Sequence, residues 1–150
     1  MKDNFFESDS LDNRSVYKNL TPLFGYRYQF NEKLASFVNY TTHFETPTLY
    51  EIGNSSELNP QHSVVGEIGF ISEGDRSEYS EIVLFKSKTT SEIIPFEIEN
   101  EPGRSYFENA GSTTREGLEL SLRKNITQKS NLQFIHTFTN YRFVNFNSNG

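Results

Sequence analysis

The 150-residue chain contains no cysteine, no tryptophan and a single methionine. Without cysteine there is no disulfide framework, no thiolate zinc site, no redox pair and no cysteine nucleophile. Positive charge is also short: 14 Lys and Arg stand against 20 Asp and Glu, a formal net charge of −6. A phosphate-backbone binder needs a basic face to release counterions, so no nucleic-acid partner is expected. No stretch approaches the about 20 consecutive apolar residues that a transmembrane helix requires. The mean hydropathy of −0.64 leaves a transmembrane β-barrel open, because barrel strands alternate outward apolar with inward polar residues and so average out.

Catalytic patterns are missing too. His43, His62 and His136 are far apart and stand in no H-E-x-x-H or similar ligand spacing, and there is no G-x-S-x-G and no phosphate-cradling glycine loop. His43 reads as a polar-face strand residue and His62 as a loop residue. No enzymatic activity, cofactor or metal is expected. The acidic run Glu97, Glu99, Glu101 and the group Asp3, Glu7, Asp9, Asp12 read as solvated loop charge.

What the chain does have is aromatic rings, 14 Phe and 8 Tyr, which suit strands and membrane interfaces. Two-residue alternation recurs from end to end, the mark of half-buried strands. Phe24, Tyr26, Tyr28 and Phe30 oppose Leu23, Gly25, Arg27 and Gln29. In the run 34–45, Leu34, Val38, Tyr40 and Phe44 oppose Asn39, Thr41, His43 and Glu45. Val64, Ile68 and Phe70 oppose Glu67 and Gly69 in the run 63–72. In 114–124, Leu118, Leu120 and Leu122 oppose Glu119, Ser121 and Arg123. In 131–143, Leu132, Phe134 and Phe138 oppose Gln133, Thr137 and Thr139. The run 78–89 has apolar residues in both phases, Tyr79, Val83 and Phe85 against Ile82 and Leu84, and its faces stay unassigned.

The connections alternate short (31–33), long (46–62), short (74–77), long (90–113), short (125–130), as in an outer-membrane barrel with tight turns at one rim and long loops at the other. The runs are also long enough to cross a bilayer at a tilt, which takes roughly 9 to 11 residues. The expected fold is therefore all-β, an antiparallel up-and-down transmembrane β-barrel of which about six strands are present. Six do not close; the smallest such barrels use about eight. The first ten residues lack the apolar stretch and cleavage site of a secretory signal, and the chain stops in turn-like residues, Asn147-Ser148-Asn149-Gly150. These features predict that residues 1–150 are part of a longer barrel domain. The alternative is a complete small eight-stranded membrane or soluble ligand-binding barrel, with two further strands within 1–19 or 90–110.

A set of short motifs narrows this. Phe44 to Glu51 (F-x-x-P-x-L-x-E), Leu58-Asn59-Pro60 (L-x-P), Glu67-Ile68-Gly69 (E-x-G), Tyr106 to Gly111 (containing N-x-G) and Gly117-Leu118-Glu119 (G-x-E) follow one another in order. Over about residues 20–143 the chain resembles the C-terminal part of the barrel of TonB-dependent outer-membrane receptors. Pro47, lacking an amide donor, suits a strand leaving the wall. Gly111 and Gly117 suit bends or bulges.

The resemblance implies a barrel of about 22 strands in the outer membrane of a Gram-negative bacterium, bounded by membrane lipid. It also implies active uptake of a ferric siderophore or similar scarce ligand, with TonB engaged through an N-terminal plug domain that has no counterpart in residues 1–150. It makes Glu67 and Glu119 candidates for contact with the plug's arginines, while the alternation itself makes Arg27 and Arg123 further lumen-facing candidates, since a slip of one residue would send them into lipid.

Overall fold

The computed structural model describes residues 17–55, 57–75, 78–98 and 103–144, so Asp3, Glu7, Asp9, Asp12, Glu99 and Glu101 lie outside the described residues. In chain order the elements are β1 (Leu23–Asn31), β2 (Leu34–Glu45), α1 (Leu49–Gly53), β3 (Gln61–Glu73), β4 (Tyr79–Thr90), β5 (Ile93–Glu97), β6 (Ser105–Asn109), β7 (Ser112–Thr127) and β8 (Ser130–Val144). Three tight turns close the hairpins. Asn31 Oδ1 accepts from the Lys33 amide at 2.9 Å, the Gly74 amide donates to the Glu78 carbonyl at 2.9 Å, and Thr127 Oγ1 accepts from the Lys129 amide at 3.2 Å. Such local bonds are the reason these residue types favour turns. Lys33 Nζ also lies 3.0 Å from Asp75 Oδ1, joining two neighbouring turns.

The hairpins assemble into one antiparallel six-stranded meander, β1-β2-β3-β4-β7-β8, with β1 and β8 at its edges. All three short turns lie at one rim. The two long connections, 46–60 with α1 and 91–111 with β5 and β6, lie at the other. Register shifts between Gln29 and Asn31 and between Asn125 and Thr127 put both irregularities beside the short-turn rim, where bulges end barrel strands. The wall strands run to 16 residues in β7 and 15 in β8, against a globular mode of about 5 to 6.

Two strands do fall within 90–110, as the eight-stranded alternative requires. Among the described residues they pair only with each other, as a separate two-stranded sheet, and so add nothing to the wall. His62 sits in β3 rather than in a loop; its partners across the sheet are Phe44 and Thr90, and its ring lies 4.9 Å from that of Phe44.

Register shows how the side chains divide. Tyr26, Val38, Ile68, Leu84, Leu118 and Phe138 form one unbroken row, an apolar residue from each of the six strands. The adjacent row on the opposite face is Arg27, Phe37, Gly69, Val83, Glu119 and Thr137. Glu67 and Leu120 are therefore on opposite faces. In β4, Ile82 and Leu84 join the apolar face and Val83 and Phe85 the polar one, which settles the strand whose alternation was ambiguous. The sheet is a single layer. Among the described residues the buried hydrophobic side chains are Ala35, Val83 and Ala110, whereas Leu84 is 56% and Phe138 66% exposed. An apolar face this extensive, with no covering layer among the described residues, belongs against lipid. No helix among the described residues is long and apolar enough to cross a membrane.

Candidate functional site on the polar face and long-loop rim

Glu67 and Glu119 share the polar face, on β3 and β7 with β4 between them and two residues out of line in register. With about 4.8 Å between strands and about 3.4 Å per residue, their backbones are about 12 Å apart. The carboxylates therefore do not touch, and the gap between them is wide enough to admit a guanidinium. Asn39 Nδ2 donates to Glu67 Oε2 at 3.2 Å. Glu119 is exposed and makes no ion pair among the described residues.

Glu81, on the same face and paired with Ile71 and Ser121, adds a third carboxylate in the row below Glu119. Sequence reading missed it because the faces of β4 could not be told apart. Arg27 and Arg123 lie on this face too, each occupied by the wall itself. Arg27 Nη2 reaches across β2 to within 3.8 Å of Glu73 Oε1, and the Arg123 guanidinium lies 5.8 Å from the centre of the Tyr79 ring.

Two of the three motif glycines, Gly69 and Gly117, have a use other than a bend. Gly69 pairs with Phe37 and Gly117 with Phe85, and each ring lies over its glycine where a Cβ would be. Register continues unbroken through Gly117, so there is no bulge there. The ring substitutes for the missing side chain, covering exposed backbone on a glycine-containing strand. Gly111 does bend the chain, with φ of +96°, a conformation that glycine adopts at no steric cost.

The remaining motif residues knit the long-loop rim. Thr48 is the N-cap of α1, and Glu51 completes a capping box: its Oε2 accepts from the Thr48 amide at 2.6 Å and from the Thr48 hydroxyl at 2.9 Å. The Glu of F-x-x-P-x-L-x-E thus starts a helix just after Pro47 ends strand pairing. Asn109, from N-x-G, bridges the two long connections. Its Oδ1 accepts from the Asn59 amide at 2.7 Å, and its Nδ2 donates to the carbonyls of Asn59 at 2.9 Å and Ser91 at 2.7 Å. The Phe107 amide donates to Ser55 Oγ at 2.7 Å, and the Tyr50 and Phe107 rings meet edge to face at 5.6 Å.

Below these loops the polar face opens into a hollow of about 450 Å³ whose lining includes His43, Glu45, Gln61, Ser63, Thr89, Glu92 and Arg115. Glu92 is its most connected group. It accepts from the hydroxyls of buried Thr113 and of Tyr141, and Arg115 Nη2 lies 3.7 Å away and stacks its guanidinium on the Tyr141 ring. The Glu92 main chain exchanges bonds with Ala110 and Gly111, so this residue fixes the 91–111 connection to the wall. No sequence pattern marks it.

A two-faced meander with one rim of tight turns and one of cross-braced loops is the architecture of an outer-membrane barrel wall. The model of the family described as TonB dependent receptor-like, beta-barrel matches residues 2–150. The chain belongs to this family of outer-membrane receptors.

Two solved receptors of this kind share its fold. The siderophore receptor PirA from Pseudomonas aeruginosa superposes with a TM-score of 0.69 at 18% identity, over 82% of this chain and 25% of its own. The alcaligin outer-membrane receptor FauA from Bordetella pertussis gives 0.64 at 19% identity, over 88% of this chain and 24% of its own. The chain thus spans about a quarter of each receptor. A search of curated proteins gives no match.

Proposed function

We propose that residues 1–150 form part of the wall and loop rim of an active importer that takes up a ferric siderophore or similarly scarce ligand, energised through TonB. The observation that carries this reading is the division of one six-strand sheet into a continuous apolar row and a polar face, joined to the family match. The two solved receptors of like fold, named for a siderophore and for alcaligin, support the ligand class. A strain lacking the intact receptor should lose TonB-dependent growth on a ferric siderophore under iron limitation, and regain it from the receptor gene only when TonB is present. Growth restored without TonB would rule the reading out.

Within that reading, Glu67 and Glu119 latch the plug. Two carboxylates facing the lumen across a gap of about 12 Å favour arginines inserted between them, since charge-assisted Arg–carboxylate contacts are the strong ones. Removing one partner of a buried pair strands the other at a cost of about 3 to 5 kcal/mol. The receptor carrying Glu67→Ala with Glu119→Ala should therefore admit large antibiotics while binding ligand at the cell surface as before. Loss of surface binding with an intact permeability barrier would move these residues to the ligand site instead.

A further inference from the structure

The apolar face does not end evenly. On β1, β2 and β3 it continues toward the long-loop rim through Phe24, Tyr40 and Val64. On β4, β7 and β8 it stops at Leu84, Leu118 and Phe138. The next two rows on that same face are Lys86, Glu116 and Asn140, then Lys88, Thr114 and Arg142. Glu116 gathers the cations: Lys86 Nζ lies 3.2 Å from one of its oxygens and Arg142 Nη2 2.6 Å from the other. Lys88 has no carboxylate partner among the described residues. Three cations thus stand beside one carboxylate that pairs with only two of them, and the Lys86 and Arg142 side chains stay 71% and 63% exposed.

We infer that this corner of the outward face is a binding site for the phosphate-bearing headgroup of an outer-leaflet lipid. Depth decides the occupant. An outward Lys or Arg costs about 2 to 4 kcal/mol at the bilayer midplane and about 0 to 1 near the interface, so a cluster one to two rows beyond the last apolar row belongs at headgroup level. Long loops mark the extracellular side, which makes the leaflet the outer one. Any partner seated on Lys86, Lys88 and Arg142 must also cover Leu84, Leu118 and Phe138 directly beneath, and a lipid does both with one molecule.

Glu116 holds Lys86 and Arg142 on either side of itself, leaving a net positive pair aimed outward. The Arg fork then suits phosphate oxygens bidentately while the lysines add point charges. The site is independent of which ligand the receptor imports.

The test uses the intact receptor in detergent, titrated with bisphosphorylated lipid A and with its dephosphorylated form. The expected result is preferential binding of the phosphorylated lipid, weakened about tenfold or more by Lys86→Gln with Lys88→Gln and Arg142→Gln, with the dephosphorylated lipid unaffected. Lys88→Gln alone removes no ion pair, so it leaves the barrel fold intact and should still weaken the phosphorylated lipid measurably. Equal binding of the two lipids by the natural receptor overturns the proposal. So does undiminished binding of the phosphorylated lipid A by the Lys88 variant or by a folded triple variant, since a cluster that pairs only with itself predicts that result.

Discussion

At the scale of single residues, the two glycine–phenylalanine pairs look alike in register and differ in what surrounds them. A Cβ on Gly69 would press mainly on the tip of the Phe37 ring, the far end of a side chain that can swing away. On Gly117 it would meet the Phe138 carbonyl oxygen as well as the Phe85 ring, and a carbonyl held in a strand ladder cannot move without breaking the pairing of β7 with β8. Overpacking of this kind costs about 1 to 3 kcal/mol, more when backbone must shift. Gly117→Ala should therefore lower the folded yield of the receptor more than Gly69→Ala, read from the heat-modifiable mobility of the barrel. Phe37→Leu should rescue Gly69→Ala, while Phe85→Leu should fail to rescue Gly117→Ala. Equal rescue would show that the ring alone, and not the neighbouring strand, requires the glycine. The sequence displays both glycines and both rings, but their pairing across strands is a matter of register, and alternation within one strand does not specify it.

At the scale of elements, the wall strands were legible because each alternates against a lipid-facing phase, and a slip of one residue would turn charge into lipid. β4 was the exception for a reason now visible. Its polar-face positions Val83 and Phe85 face the neighbouring glycines, so both phases carry apolar side chains. The long loops were legible only as lengths. Their braces join residues 50 or more positions apart, as Asn59 to Asn109 and Ser55 to Phe107, which no local pattern announces. Asn109→Ala removes three hydrogen bonds, each worth about 0.5 to 1.5 kcal/mol. It should leave barrel folding unchanged while speeding proteolytic cleavage of the 46–60 and 91–111 connections on whole cells. Glu92→Gln should act on 91–111 alone, because Glu92 ties that connection to Thr113, Tyr141 and Arg115 on the wall. Cleavage of both loops at equal rates in the Glu92 variant would mean the two are braced as one unit.

At the scale of the whole molecule, the sheet has, among the described residues, an apolar face without a covering layer, a polar face with carboxylates directed away from it, and two edges, β1 and β8, that pair on one side only. Each edge presents a row of free amides and carbonyls, a template for another chain, and in hydrocarbon each unsatisfied group costs several kcal/mol. Folding of a soluble domain is driven by removing apolar surface from water. Here the driving force has to come from lipid on one side and from further strands at both edges, because the side chains that could form a core point outward. Residues 1–150 expressed alone in aqueous buffer should therefore aggregate or remain unfolded, while the same residues within the complete barrel, refolded into detergent micelles, should reach a heat-resistant state. Size-exclusion chromatography and a thermal melt of the isolated chain decide the matter. A monomer that melts cooperatively in water would mean that the sheet closes on itself or buries its apolar row by some other packing, and the barrel-wall assignment of that row would fall with it.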